Sequence, residues 1–161
     1  TKKNNIEILK QKVNKFNVGG YYYDIAELIR KNLPYAYEWP NPGGYSYGLP
    51  EVTETGKQSS RRYIAIYLQD NRFGSVQIFI HNRSIDIAKE EIKEIKEKYQ
   101  SSISNWSEGI LIQVSSKIEW DSIKNELEKV CQAIWQGWQR KRHEESREDL
   151  SSANVIEDSS P

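Results

Sequence analysis

The sequence has a single cysteine, no methionine and only two histidines. A lone Cys131 can close no disulfide within the chain, so nothing points to an oxidising compartment. His81 and His143 lie far apart, and with one cysteine only carboxylates could complete a metal site. No spacing suggests such a site, and no cofactor motif is present. No apolar stretch approaches the roughly 18 residues that cross a bilayer, and no apolar segment follows Thr1-Lys2-Lys3. A charge excess is also missing: 23 basic side chains balance 23 acidic ones. That argues against nucleic-acid binding over the whole surface and leaves room for a local basic patch. The expectation is a cytoplasmic protein without membrane contact, metal or cofactor.

What is abundant is tyrosine and tryptophan, ten and five residues against three phenylalanines. Both carry a polar handle and favour half-buried positions and contact surfaces. The 161 residues suit one domain, with 37% hydrophobic and 29% charged residues. Ile6, Leu9, Val13 and Phe16 recur at helical spacing and predict a first helix. A second is predicted from about Tyr22 to Leu33, stopped by Pro34. The period then changes to two. Tyr35, Tyr37 and Trp39, then Tyr45, Tyr47 and Leu49, flank the turn Pro40-Asn41-Pro42-Gly43-Gly44 and predict a hairpin. With a symmetrical register its five aromatics line one face, and Gly48 and Pro50 demote the second strand to an edge.

Glu51 to Ser60 reads as a polar connection and Arg61 to Gln69 as the strongest strand, apolar on both faces. Asp70 to Gly74 is a turn, Val76 to Ile80 the next strand, and Asp86 to Gln100 a helix with a solvated Lys/Glu face. Gly109 to Ser115 is a short strand. Trp120, Ile123, Leu127, Val130, Ile134 and Trp138 form the stripe of a last helix, started by Asp121 or by a Ser116–Glu119 capping box. Residues 1–143 thus make one α+β domain, a mainly antiparallel sheet of about five strands in the order ααββββαβα. Residues 144–161 read as a polar, acidic, disordered tail.

No motif carries catalysis. Gly43-Gly44 lacks the lysine and helix of a phosphate loop. Glu91-Ile92-Lys93 and Glu94-Ile95-Lys96 match a nuclease tripeptide by letter but lie on a helix, where they are surface pairs. Cys131 sits on the buried stripe and reads as core. Two features remain. The aromatics Tyr35, Tyr37, Trp39, Tyr45 and Tyr47 could anchor a protein partner or stack unpaired bases, unless the first two helices simply cover them. Lys57, Arg61, Arg62, Arg72 and Arg83 are scattered beside them. Arg140 to Arg142 would sit at a helix end and suit its dipole.

Trp39 with Gly43-Gly44, the strand Val76-Gln77-Ile78-Phe79-Ile80 running into Ala88 to Tyr99, and Trp120 to Trp138 carry a resemblance. From Tyr21 to Trp138 the chain resembles a bacterial domain of unknown function found C-terminal to restriction-type nuclease domains. The stretch holds no nuclease domain, so the resemblance implies an accessory module that binds a partner or nucleic acid. The expected function is a non-enzymatic module binding a protein partner. The alternative is a nucleic-acid-binding accessory protein using the aromatic hairpin with Arg61 and Arg62.

Overall fold

The computed structural model describes the backbone of residues 1–52, 55–69 and 75–158, and their side chains except at positions 52, 69 and 145–158. Helices α1 (Lys2–Lys15) and α2 (Gly19–Asn32) lead into strands β1 (Tyr37–Asn41), β2 (Gly44–Val52), β3 (Gln58–Gln69) and β4 (Ser75–His81). Helices α3 (Asn82–Ile87) and α4 (Lys89–Lys98) follow, then β5 (Ile103–Trp106), β6 (Gly109–Val114) and the long α5 (Lys117–Asp158). The strands form one antiparallel sheet in the order β1-β2-β3-β4-β6-β5. The α+β class and the antiparallel sheet are as the pattern indicates, with six strands among the described residues rather than about five.

The additional strand is β5, four residues of which only Ile103 is even half-buried. Too short to alternate, it has no sequence signature. The helix expected from Asp86 is two helices, because His81 Nδ1 accepts the Arg83 N–H (3.1 Å) and starts α3 early. The fully buried Ala88 then leaves helical geometry between α3 and α4. Nor is β2 an edge. It lies between β1 and β3 as far as Gly48, where β1 ends. Pro50 falls beyond that point, and its carbonyl accepts from the Trp138 indole on the side away from β3, so the N–H missing on that side leaves no gap in the β2–β3 ladder.

Side chains alternate across each strand, so paired rows assign every residue to a face. Tyr47, Ile64, Ile66, Ile78, Ile80, Ile110 and Ile112 share one face and one core with residues from all five described helices, among them Val13, Ile25, Ile85, Ile95 and Leu127. The opposite row, Trp39–Ser46–Ala65–Phe79–Leu111–Ser104, crosses all six strands. Ala65, Phe79 and Leu111 make a separate small cluster there with Tyr67, and among the described residues no helical one belongs to it. The fold is two layers, helices on one face of the sheet.

The last helix keeps the expected stripe: Trp120, Ile123, Leu127, Val130, Cys131 and Ile134 are buried. Its start is the serine alternative. Ser116 Oγ accepts from the Glu119 N–H (3.1 Å) and the Glu119 carboxylate accepts from the Ser115 N–H (2.7 Å). Asp121 pairs instead with Lys117 (3.2 Å). The helical backbone continues to Asp158, through most of the segment read as a tail, and residues 159–161 are outside the described residues. Arg140 to Arg142 therefore lie within the helix rather than at its end, and Arg142 stacks over Trp138, 5.4 Å from the ring centre. The turn at 70–74, with Arg72, also lies outside the described residues. Among the described residues no helix is long and apolar enough to cross a membrane.

Two stability measurements follow from the α5 interface. Leu127→Ala, at a fully buried site, should lose about 2–5 kcal/mol in urea unfolding; a loss under about 0.5 kcal/mol would mean the stripe is not the main packing surface. Burial pushes the Cys131 thiol up to about 12, so native protein should resist thiol reagents at neutral pH. Rapid labelling would contradict the core placement.

Candidate functional site

The hairpin turn decides where the aromatics go. Strand β1 ends at Asn41 and β2 begins at Gly44, leaving two residues, Pro42 and Gly43, between them. The Asn41 side-chain oxygen accepts the Gly43 N–H (2.9 Å), and the Gly43 carbonyl accepts the Leu68 N–H (2.8 Å), tying the turn to β3. With that turn, odd positions of β1 pair with even positions of β2: Tyr37 with Gly48, Trp39 with Ser46, Asn41 with Gly44. The five aromatics therefore do not share a face. Tyr37 and Trp39 look away from the helices, and Tyr45 and Tyr47 look into them. Tyr35 precedes β1 and packs on Trp135 of α5, ring centres 5.4 Å apart.

The helix-side pair belongs to the fold. Tyr47 is 1% exposed, and burial with the nearby Glu38 carboxylate pushes its phenol up. Tyr45 is half-buried against Tyr22 and beneath the Arg30 guanidinium, 5.6 Å away. Arg30 of α2 grips Glu38 of β1 with two bonds, Nε to Oε2 at 2.6 Å and Nη2 to Oε1 at 3.2 Å. This two-pronged pair, partly shielded, fastens the edge strand to the helical layer.

The helix-free face is built differently. The rings of Tyr37 and Trp39 lie 5.6 Å apart at 32°, and Tyr37 is 57% exposed. Trp39 is half-buried because its ring spreads over Gly48: a β-carbon there would stand 2.8 Å from Trp39 Cζ3 and 3.0 Å from the Arg61 carbonyl oxygen. Small residues follow, Ser46 then Ala65, before Phe79 and Leu111 rise again across the row. At one end of the face His81 sits beside Phe79, and Trp106 is 61% exposed on β5. Asn41, Gln77 and Gln113 supply amides along the Tyr67 row. None of the residues that the register assigns to this face is acidic.

The basic residues are not one patch. Arg61 is exposed opposite Leu49, and Arg62 is half-buried opposite Gly48, at the end of the face that Tyr37 occupies. Arg83 donates to the Arg62 carbonyl and lies over the Tyr63 ring. His81 is held below its ordinary pKa, first by burial and then by the Arg83 charge, so its imidazole is neutral at physiological pH. Ser46 Oγ and Arg62 Nε are buried without a hydrogen-bond partner among the described residues. Lys57 is exposed just before the start of β3. Among the described residues no group of three His, Cys, Asp or Glu side chains could hold a metal ion.

Sequence reasoning thus placed Tyr37 and Trp39 on a surface and missed their companions Tyr67, Phe79, His81, Leu111 and Trp106. A signal existed: β3 and β4 carry large apolar residues at successive positions, which reads as burial on both sides. Only the helix count, all spent on one face, distinguishes a covered face from an open one. No family model matches the chain, and neither curated proteins nor solved structures give a match.

Gly48→Ala tests the platform. The new methyl cannot fit under the Trp39 ring, so the variant should lose about 1–3 kcal/mol and change the near-ultraviolet circular dichroism of tryptophan. A neutral result in both would mean that Trp39 is not seated on β2.

Proposed function

We propose that this chain is a non-enzymatic interaction module, an accessory protein that docks a protein partner on the helix-free face of its sheet. The observation that carries this reading is the face itself: exposed or half-buried Tyr37, Trp39, Tyr67 and Trp106 on a floor of Ala65, Phe79 and Leu111, with neither a carboxylate in its rows nor a covering helix among the described residues. Aromatics anchor protein interfaces because they bury large area for little lost conformational freedom, and charged residues are depleted at interface centres. The amides of Asn41, Gln77 and Gln113 suit backbone carbonyls and N–H groups of a docked chain. The resemblance to a domain that accompanies nucleases agrees with an accessory role.

One observation favours the alternative, a single-stranded nucleic acid. Arg62 stands in register with Gly48 beside Tyr37, so a cation adjoins the stacking platform. Phosphate contacts release counterions and make binding fall steeply with salt, whereas an aromatic protein interface is nearly indifferent to it.

The test uses the tagged chain as bait in extract of its source organism, at low and high salt, with and without nuclease. A protein partner should survive salt and nuclease and be lost with Trp39→Ala. That substitution should cost less than about 1.5 kcal/mol of stability, while Tyr47→Ala, on the buried face, should cost about 3–5 kcal/mol. Reversing Arg61 and Arg62 to glutamate should have little effect on a protein partner. Nuclease-sensitive capture with a large salt-dependent loss on reversal would replace the proposal by the nucleic-acid reading. Trp39→Ala unfolding as readily as Tyr47→Ala would refute the open face.

A further inference from the structure

The two edges of the sheet are finished in opposite ways. At β1 the edge carries Pro40, which has no N–H to offer, and α1 lies along it. The Asn5 side-chain amide donates to the Pro40 carbonyl (3.2 Å), and Lys12 Nζ donates to that of Pro42 (3.0 Å). Strand β5, at the other edge, has no proline, and Ser104, Asn105 and Trp106 are exposed. Alternate residues of an antiparallel strand turn their backbone N–H and C=O groups away from the neighbouring strand. On β5 those groups meet no further strand among the described residues. A row of this kind is a template for one more strand.

The surface next to that edge is shaped and charged. A groove of about 510 Å³ runs between β5 and the α3–α4 segment, with Ile85, Ile92 and Ile103 as apolar wall and Lys89, Lys93 and Lys96 around it. Glu97 and the amides of Gln100 and Asn105 complete the lining. The three lysines form no ion pair among the described residues. Lys98, on the same helix, is by contrast held between Glu94 and Glu126 at 3.1 Å each. Three free ammonium groups against one carboxylate make the groove a place for negative charge.

We propose that β5 is a docking edge that takes an extended acidic segment of a protein partner as a seventh strand. The inference rests on the reading of the chain as a protein-binding module and adds a second contact to it. An added strand would alternate its side chains. Those on the helix side would enter the groove, with apolar groups against Ile85, Ile92 and Ile103 and carboxylates within reach of Lys89, Lys93 and Lys96. Those on the other side would lie beside Trp106 and continue the helix-free face outward. Backbone bonds give such a mode its affinity, and the side chains in the groove give it selectivity. The lysines repel basic strands and the lysines of a second copy of this edge, which is how an open edge avoids self-association.

The test uses short fluorescent peptides on the full chain. A peptide alternating valine with glutamate should bind at least about tenfold more tightly than one alternating valine with lysine, and its affinity should fall with salt. Lys93→Glu combined with Lys96→Glu should lower that affinity about tenfold while leaving the circular dichroism and melting temperature unchanged. Methylating the backbone nitrogens of the glutamate peptide should abolish binding without touching the protein. Trp39→Ala should leave peptide affinity intact, which separates this edge from the sheet face. Equal binding of the two peptides, no binding of either, or full affinity for the methylated peptide would overturn the proposal. Loss of partner capture in Trp39→Ala with intact peptide binding supports both contacts, whereas intact capture with intact peptide binding keeps the edge and removes the face.

Discussion

A β-carbon at position 44 would stand 1.8 Å from the Ile66 carbonyl oxygen, so only glycine lets β2 begin hard against β3 directly after Pro42-Gly43. The turn is thereby held to two residues, and turn length fixes register. One more residue would exchange the faces of β1, sending Tyr37 and Trp39 into the helices and Glu38 into solvent. The Arg30–Glu38 pair would be lost in the same step. What the sheet shows to solvent, and what it shows to α2, both descend from this close approach.

The helical layer then finishes a division that the hairpin begins. Helix α2 brings Arg30 to Glu38, α1 brings Asn5 to Pro40, and α5 sends the Trp138 indole N–H to the Pro50 carbonyl at 3.0 Å. Each contact fastens β1 or β2 from the same side. With five helices committed there, Phe79 and Leu111 on the other side are sheltered by sheet neighbours rather than by a second layer. Function is then read from residues that the core leaves out.

Much of this was legible. The stripe from Trp120 to Trp138 is buried as its spacing indicates, and the two N-terminal helices and four of the strands lie close to where their periods put them. The Ser116–Glu119 box was visible as one of two starts. The face of the aromatics was not, because Pro40 to Gly44 reads equally well as a five-residue turn, and the choice depends on the Ile66 backbone brought in from β3. Strand β5 was hidden for a related reason: Ile103 to Trp106 become a strand only by pairing with β6. The bulge opposite Tyr47 and Gly48 likewise has no local sequence signal, because it arises from the pairing of β2 with β3. It lets Tyr63 join the core and sets Arg62 against Gly48. Local pattern specifies elements, and long-range pairing specifies faces.

The central claim is that the hairpin divides its aromatics between two environments, with Tyr37 and Trp39 on the helix-free face and Tyr47 within the helical core. Hydroxyl-radical footprinting read by mass spectrometry measures this division residue by residue in the native chain. Tyr35, Tyr37 and Trp106 should be oxidised fast, Trp39 at an intermediate rate, and Tyr47 and Trp120 at rates that rise only on unfolding. Tyr47 reacting as fast as Tyr37, or Tyr37 and Trp106 protected to the level of Trp120, would contradict the account.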